Sequence, residues 1–494
     1  MLLADAKQLN KKDLRGEFME LLQTIIDQLN NILWSYVIIA LLIGAGLYFT
    51  IGSGFLQFRY FGEMIKVVAE KKPKTSSGDG SEISSLQAFF IGAATRIGTG
   101  NIAGVAAAIG IGGPGAVFWM WLVAVLGGAS AFVESTLAQI FKVKDKVGFK
   151  GGPGYYMEKQ LGARWMSVFF AIMIILSFGL IFNSVQSNTI AAAFKTSFGF
   201  STTLSAVLLA VLTAVIIFGG VKRIANFSTF IVPIMSGFYI LLALYVMVTN
   251  ISEIPAVFAL IFKSAFGLEQ AFGGGVGAAI MMGVKRGLFS NEAGMGSAPN
   301  AAATATVSHP AKQGFIQALG VFFDTLIVCS ATAFIILLSN SADSGLVGIE
   351  LTQAALTEHF GTWAATFLAI ANFMFAFSTI IGSYYYGEVN MEFVSKGKTA
   401  LLVYRLLAIG MVAFGAVASF GMVWSLADLS MALMAVVNLV AILLLSKIAF
   451  KALDNYISQR KKGVDPVFYA DDIEGLKGVE CWPTRDKLNR AANE

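Results

Sequence analysis

The sequence predicts an all-α polytopic membrane protein of eleven spanning helices: one extra helix followed by two groups of five. Three observations predict it. The chain is 56% apolar and only 13% charged, whereas a soluble domain carries about 25% charged residues. Basic residues gather in every second loop. Two of the apolar segments are interrupted by glycine and polar residues that an ordinary spanning helix does not tolerate.

Taken in order, residues 1–31 are polar and of mixed charge, with Leu14, Phe18, Leu21, Leu22, Ile25 and Leu29 at helical spacing. That pattern predicts an amphipathic segment lying at the membrane surface. It lacks the basic start, apolar core and small-residue cleavage site of a signal peptide, so no cleavage is expected. Apolar runs long enough to cross about 30 Å of hydrocarbon follow near 32–55, 86–110, 114–140, 166–193, 202–219, 226–248, 270–305, 314–338, 362–386, 399–420 and 427–449. The polar tail is 450–494.

Loop charge sets the orientation. After span one come Arg59, Lys66, Lys71, Lys72 and Lys74; after span three, Lys142, Lys144, Lys146, Lys150, Lys159 and Arg164. Lys222 and Arg223 follow span five, Lys312 span seven, and Lys396 and Lys398 span nine. The alternate loops are poor in both. The expected topology is a multi-pass protein of the plasma membrane (the inner membrane in a bacterium), N-terminus outside and C-terminus in the cytoplasm.

The second and seventh spans hold the interruptions. Gly287–Pro299 contains three glycines, a proline, Asn291 and the carboxylate of Glu292. A charge at bilayer depth costs at least ~2.5 kcal/mol, and unwound backbone survives there only where protein or a wet cavity satisfies it. Arg96-Ile-Gly-Thr-Gly-Asn-Ile-Ala-Gly104 aligns without gaps to Arg286-Gly-Leu-Phe-Ser-Asn-Glu-Ala-Gly294. With span one set aside, the groups 86–248 and 270–449 each open on an interrupted helix. Five is odd, so the groups lie inverted in the membrane. Transporters built this way hold substrate and ion at the midplane, between the breaks.

A broken helix frees N–H groups at one end and C=O groups at the other. The first suit a carboxylate and the second a hard cation such as Na⁺. A zwitterionic amino acid with Na⁺ matches both. Thr99, Gly100 and Asn101 are expected to offer N–H groups, and the carbonyls of Ala94 and Ile97 to face the ion. Phe375, Ser378 and Thr379 share one face of span nine and complete an oxygen cage, unless the hydroxyls only back-bond to their own helix. Asn291, Glu292, Gly294, Met295 and Gly296 line the second break. Gln186 and Asn183 have the spacing to face the site from span four. Glu134 and Asp324 are intramembrane carboxylates and functional candidates by position. Arg96 and Arg286 are candidate gates at opposite ends, closing by ion pairing. His309 and His359 stand alone, and Cys329 and Cys481 give neither a disulfide framework nor a metal motif. No nucleophile–base pair is apparent, so an enzyme is not expected, and no continuous polar stripe suggests a channel.

Gly112-Gly-Pro-Gly-Ala-Val-Phe-Trp-Met-Trp121, Gly151-Gly-Pro-Gly-Tyr-Tyr-Met-Glu158, Phe289-Ser-Asn-Glu-Ala-Gly-Met-Gly-Ser-Ala-Pro299 and the tail around Asp465-Pro-Val-Phe468 and Glu480-Cys-Trp482 resemble the alanine or glycine:cation symporter family, the sodium:alanine symporters. The similarity runs from about residue 30 to the end. It implies a LeuT-type fold, symport of a small neutral amino acid with Na⁺ or sometimes H⁺, and no cofactor beyond the coupling ion. It also implies substrate contacts from both breaks and from span nine. One departure stands out. Where members often carry a tryptophan in span nine, this chain has Ser383, which predicts a larger side-chain pocket and admits glutamine beside alanine and glycine. The expected partners are the amino acid, Na⁺ and the lipid bilayer, with no nucleic acid.

Overall fold

The computed structural model describes residues 20–486 except 22, 71–83, 146–147, 220 and 269–274, and the backbone alone for 221–232. Predictions resting on Leu14, Phe18, Leu22, Lys71, Lys72, Lys74 and Lys146, and on the side chains of Lys222 and Arg223, lie outside the described residues. What is described is almost entirely helical. A two-stranded hairpin, β1 (Val143–Lys144) with β2 (Phe149–Lys150), is the exception.

Helix α1 (Gln23–Gly52) absorbs part of the predicted surface segment. Residues 23–31 continue into span one without a break, and Leu21, Ile25 and Leu29 stay exposed on the outer face. A turn then leads to α2 (Phe61–Ala69). The first interrupted span is α3 (Ser85–Arg96) and α4 (Gly100–Gly112). Ser84 and Gln87 cap the start of α3 reciprocally, satisfying two of its free N–H groups. Helix α5 (Ala116–Ile140) follows, then α6 (Pro153–Lys159), opened by a proline that suits a first turn. Next come α7 (Arg164–Phe198), α8 (Thr202–Ile217) and α9 (Val221–Thr249), which carries Pro233 inside it.

Besides α2 and α6, two longer helices lie where loops were expected. Helix α10 (Ile254–Ala265) follows α9 at a bend of 104°, with Pro255 in its first turn. The second interrupted span then consists of α11 (Val276–Asn291) and α12 (Ala298–Ala302). After α13 (Pro310–Leu337) comes the other unforeseen helix, α14 (Ile349–Phe360). Both are shorter than a span and amphipathic rather than apolar throughout, so a search for bilayer-length runs passes over them. Helices α15 (Trp363–Val394), α16 (Lys398–Val417) and α17 (Phe420–Lys461) complete the set. The predicted tail begins inside α17, which runs 42 residues.

Among the described residues seven helices are long and apolar enough to cross a membrane, and eight if a bent pair counts as one span. The apolar side chains that remain exposed, such as Leu208, Val211 and Val215 on α8 or Leu402, Leu406 and Leu407 on α16, match a protein bathed in lipid. The most buried elements are those that hold the breaks: every residue from Gly283 to Thr306 is buried.

The chain beyond α17 packs back on one end of the bundle. Lys312 ion-pairs with Glu70 (2.7 Å) and Asp465 (2.8 Å). Phe468 N donates to the Ser308 carbonyl (3.0 Å), and Trp482 Nε1 to that of Gln139 (2.8 Å). His309 caps α13: its Nδ1 accepts from Ala311 N, its Nε2 meets Asn455 Oδ1 at 3.1 Å, and its ring packs on Tyr456 and Phe468. Burial pushes this imidazole down to about 4. A depressed histidine is neutral in the fold, so its stabilising effect is complete above the ordinary value of about 6.5 and is lost as pH falls toward 4. Limited proteolysis is therefore expected to cut residues 463–486 faster at pH 4.5 than at pH 7.5, and His309→Gln, neutral at both, is expected to flatten that difference.

Candidate functional site

The chain leaves helical geometry at Ile97, whose ψ of 92° is extended. The peptide groups freed there are met by side chains. Gly98 N donates to Asn101 Oδ1 (2.9 Å) and Thr99 N to Gln186 Oε1 of α7 (3.1 Å). Gln186 thus faces the break, whereas Asn183 bonds back to Gly179 of its own helix. A Cβ on Gly98 would sit 2.3 Å from Thr379 Oγ1 and 3.2 Å from Gln186 Oε1. Only glycine permits that approach.

Helix α15 supplies the facing wall. Thr379 Oγ1 donates to the carbonyls of Ala94 (3.0 Å) and Phe375 (3.1 Å), and Ser378 Oγ to Phe375 O (2.8 Å). Ala94, Ile97 and Phe375 share one buried cluster. Four of the five expected cation ligands are therefore linked by hydrogen bonds, and the hydroxyls back-bond as well. Further along the same face, Tyr386 OH lies 3.1 Å from Thr95 Oγ1. Between them stands Ser383, fully buried, its hydroxyl without a partner. The Thr99 hydroxyl is buried and unpartnered too.

The second break spans 292–297. Glu292 (φ 59°), Gly294 (φ 83°) and Gly296 (φ 84°) all take left-handed geometry, which costs a non-glycine residue about 1–3 kcal/mol. Glu292 offsets this by ending α11 as its C-cap and accepting from Ser297 Oγ (2.6 Å). The freed N–H groups of this break are already occupied. Gly294 N and Gly296 N donate to the two carboxylate oxygens of Glu134 on α5 (3.2 and 3.1 Å). Asn438 Nδ2 of α17 donates to the same carboxylate (2.8 Å) and to Gly294 O (2.9 Å), and Tyr156 OH donates to Asn438 Oδ1. Met295, between the glycines, is fully buried in the apolar core.

The two interruptions meet. A Cβ on Gly100 would lie 3.1 Å from both Phe289 and Ser290 of α11. Asp324 of α13 joins them. It accepts from Asn101 Nδ2 (2.6 Å), Ser290 Oγ (2.8 Å) and Thr325 Oγ1 (2.9 Å), and Asn291 Nδ2 donates to Thr325 Oγ1 (3.2 Å). Helix α13 is wound as a π-helix over Phe323–Cys329, which turns Asp324 and Thr325 inward together. Ser290 and Thr325 were not singled out in the sequence. An isolated hydroxyl in an apolar run carries no signal by itself. No group of three or more histidine, cysteine, aspartate or glutamate side chains fit to hold a metal occurs among the described residues.

The nine-residue match between the interruptions is not a structural register. The chain breaks directly after Arg96 in the first, but only after Asn291 in the second, so Arg286 lies within α11. The matched glycines and asparagines reflect a shared need for small and amide side chains at both places.

A family model described as the sodium:alanine symporter family matches residues 19–470. The chain belongs to that family. The amino-acid carrier protein AlsT of Bacillus subtilis is 58% identical over 459 residues, 93% of this chain and 97% of the relative. The probable sodium/glutamine symporter GlnT of the same organism is 55% identical over 477 residues, 96% and 99% of the two chains. Among solved structures, a manganese transporter of Eremococcus coleocola superposes with a TM-score of 0.50 at 12% identity, over 78% of this chain and 82% of that one. That likeness shows a helical membrane-transporter fold.

The arginines of this symporter have unequal surroundings. Arg286 Nη2 forks onto both oxygens of Asp428 on α17 (2.7 and 2.9 Å), and Lys285 Nζ approaches the same carboxylate at 3.4 Å. The guanidinium stacks over Trp424 and the ammonium over Trp34. Arg96, equally buried, makes no ion pair among the described residues. Its Nη1 reaches Gln317 O (3.4 Å) while Nε and Nη2 lack partners. Of the two arginines, Arg286 makes an ion pair and Arg96 is held by a carbonyl instead. Asp428→Ala strands two buried cations, a loss of about 3–5 kcal/mol. A marked fall in melting temperature of the purified protein is expected, with Asp428→Ala combined with Arg286→Met recovering part of it.

Proposed function

We propose that this protein is a Na⁺-coupled symporter that carries a small neutral amino acid into the cell by alternating access. The contact between the two interrupted helices carries the reading. In the first break the N–H groups of Gly98 and Thr99 are covered by side-chain amides, which can yield to a substrate carboxylate, and that of Asn101 by the Gly98 carbonyl (3.2 Å), whereas those of Gly294 and Gly296 are held by a fixed carboxylate, Glu134. The substrate carboxylate therefore binds at Thr99, Gly100 and Asn101, displacing the Gln186 contact. Asn291 and the 292–296 segment shape the other wall.

Eleven spans in a LeuT-type five-plus-five inverted repeat, behind α1, fit this reading. The count takes α3 with α4, α11 with α12, and the 16-residue α8 as spans. The repeats are residues 86–248 and 270–449, with the N-terminus outside and the C-terminus in the cytoplasm by loop charge. On that orientation Arg286 and Asp428 close the outer side. The carbonyls of Ala94, Ile97 and Phe375 with the hydroxyls of Ser378 and Thr379 hold Na⁺. One ion crossing 100 mV supplies roughly 2.3 kcal/mol, enough for more than tenfold accumulation once its own gradient is added.

Ser383 bears on the substrate. A small, buried residue with a spare hydroxyl suits a long polar side chain, and a relative is named for glutamine. Uptake into proteoliposomes is expected for alanine, glycine and glutamine with an inward Na⁺ gradient, and to collapse when choline replaces Na⁺. Uptake unaffected by choline but driven by a pH gradient favours the second reading, H⁺ coupling. The buried Asp324, hydrogen-bonded only by neutral groups, is the observation in its favour. Ser383→Trp is expected to cut glutamine uptake tenfold or more and to spare alanine. Thr379→Val, the same shape without the hydroxyl, is expected to raise the Na⁺ concentration for half-maximal uptake at least tenfold.

A further inference from the structure

A groove of 460 Å³ lies between the turn that follows α1 and the part of α17 that projects beyond the bilayer span. Arg59, Tyr60, Phe450, Asp454, Ser458 and Lys461 are among the residues that line it. We infer that this groove, with the lysines above it, binds the anionic headgroup of a glycerophospholipid.

The level of the groove comes first. Along α17, Val440, Leu444, Lys447, Lys451, Asp454, Ser458 and Lys461 recur at helical spacing on one exposed stripe. Val440 and Leu444 are lipid-facing apolar residues, and three residues later the stripe turns basic. The hydrocarbon boundary falls between Leu444 and Lys447. From Lys447 to Lys461 the helix rises about 21 Å, crossing the headgroup layer and continuing beyond it. Across the groove, Phe55, Phe58, Phe61 and Ile65 are 43–62% exposed beside Arg59, the pattern of a segment seated at a membrane interface.

The charge comes second. Arg59, Lys447, Lys451 and Lys461 face one carboxylate, Asp454, and none of the four makes an ion pair among the described residues. Arg59 Nη1 only touches Gly54 O at 3.1 Å and leans over the Tyr60 ring. Nearby cations on the same helix end are consumed elsewhere: Arg460 pairs with Glu63 and Glu70. Unpaired basic side chains at a headgroup layer gain roughly 1 kcal/mol each from anionic lipid. A phosphodiester between Arg59 and Lys461, with hydroxyls from Tyr60 and Ser458 beside it, fits the groove, and its acyl chains lie along Phe450 and Leu444. This assignment rests on the orientation proposed above only for the leaflet, the inner one.

Native mass spectrometry of the full-length protein, titrated separately with phosphatidylglycerol, phosphatidylcholine and glycerol 3-phosphate, tests it. Phosphatidylglycerol is expected to bind at least tenfold more tightly than phosphatidylcholine. Changing Arg59, Lys447, Lys451 and Lys461 together to Gln is expected to bring the two within twofold. Lys396→Gln with Lys398→Gln, exposed cations elsewhere, is expected to keep the preference. Equal binding by the wild type, or a preference that survives the fourfold change, overturns the proposal. Glycerol 3-phosphate binding as tightly as the lipid overturns it too, since the ligand is then a soluble phosphate. The four residues lie outside the transport site, so uptake in phosphatidylcholine liposomes reports whether the variant is folded. Loss of Na⁺-driven uptake in the wild type sinks the symport reading and leaves the lipid preference to stand or fall by itself.

Discussion

The fold depends on satisfying peptide groups that two interrupted helices leave bare inside an apolar bundle. An unpaired N–H in hydrocarbon costs several kcal/mol, and the second break exposes a run of them. Glu134 answers with one carboxylate, both oxygens used, and Asn438 completes the contact from α17. The break is thereby tied to α5 and α17 and cannot slide along either. Around it the packing is close. Added methyl groups at Gly294 and Gly296 would come within 2.9 Å of Leu439 and 2.8 Å of Phe170 and Asn438. The left-handed turns at 292–296 persist because their surroundings leave no other path for the chain.

The first break is satisfied differently, in a way that suits the substrate exchange proposed above. Its N–H groups lean on neutral amides, Asn101 and Gln186, rather than on a charge. A neutral acceptor makes a weaker hydrogen bond than a carboxylate, so an incoming anionic group displaces it at small cost. One interruption is locked and the other exchangeable. A carrier needs both: a rigid reference against which the binding element is set, and contacts that give way to the substrate.

Much of this was legible in the sequence. Glycine, proline and a carboxylate within an apolar run placed the second interruption, because no continuous helix in lipid accommodates them, and the likeness of Arg96–Gly104 to it placed the first. The stripe of Phe375, Ser378 and Thr379 pointed to the wall that meets Ala94. What composition could not convey is partnership across the fold. Glu134 stood out as a buried charge, but its ligands are backbone N–H groups 160 positions away, and no residue type marks those. Asp428, the partner of Arg286, sits near the start of a long helix, where a charge is unremarked. Helices α10 and α14 are too short to read as spans. The gapless match of the two nonapeptides also carried less than its spacing suggested, because similar composition arose at points offset from the actual breaks.

The buried charges near the breaks do not balance. Glu134, Glu292 and Asp324 stand with one guanidinium, Arg96, and each is at most 2% exposed. With all of them ionised, a low-dielectric interior holds a surplus of two negative charges, and each uncompensated ion costs several kcal/mol. Protons or metal cations relieve that surplus. A zwitterion alone adds no net charge and leaves it untouched, so a substrate entering without a cation gains nothing from this field. A cation entering with it is drawn in by the same carboxylates that tie the interrupted helices together. Under the proposed Na⁺ symport, coupling draws on that surplus: occupancy by the amino acid is favoured when positive charge arrives with it.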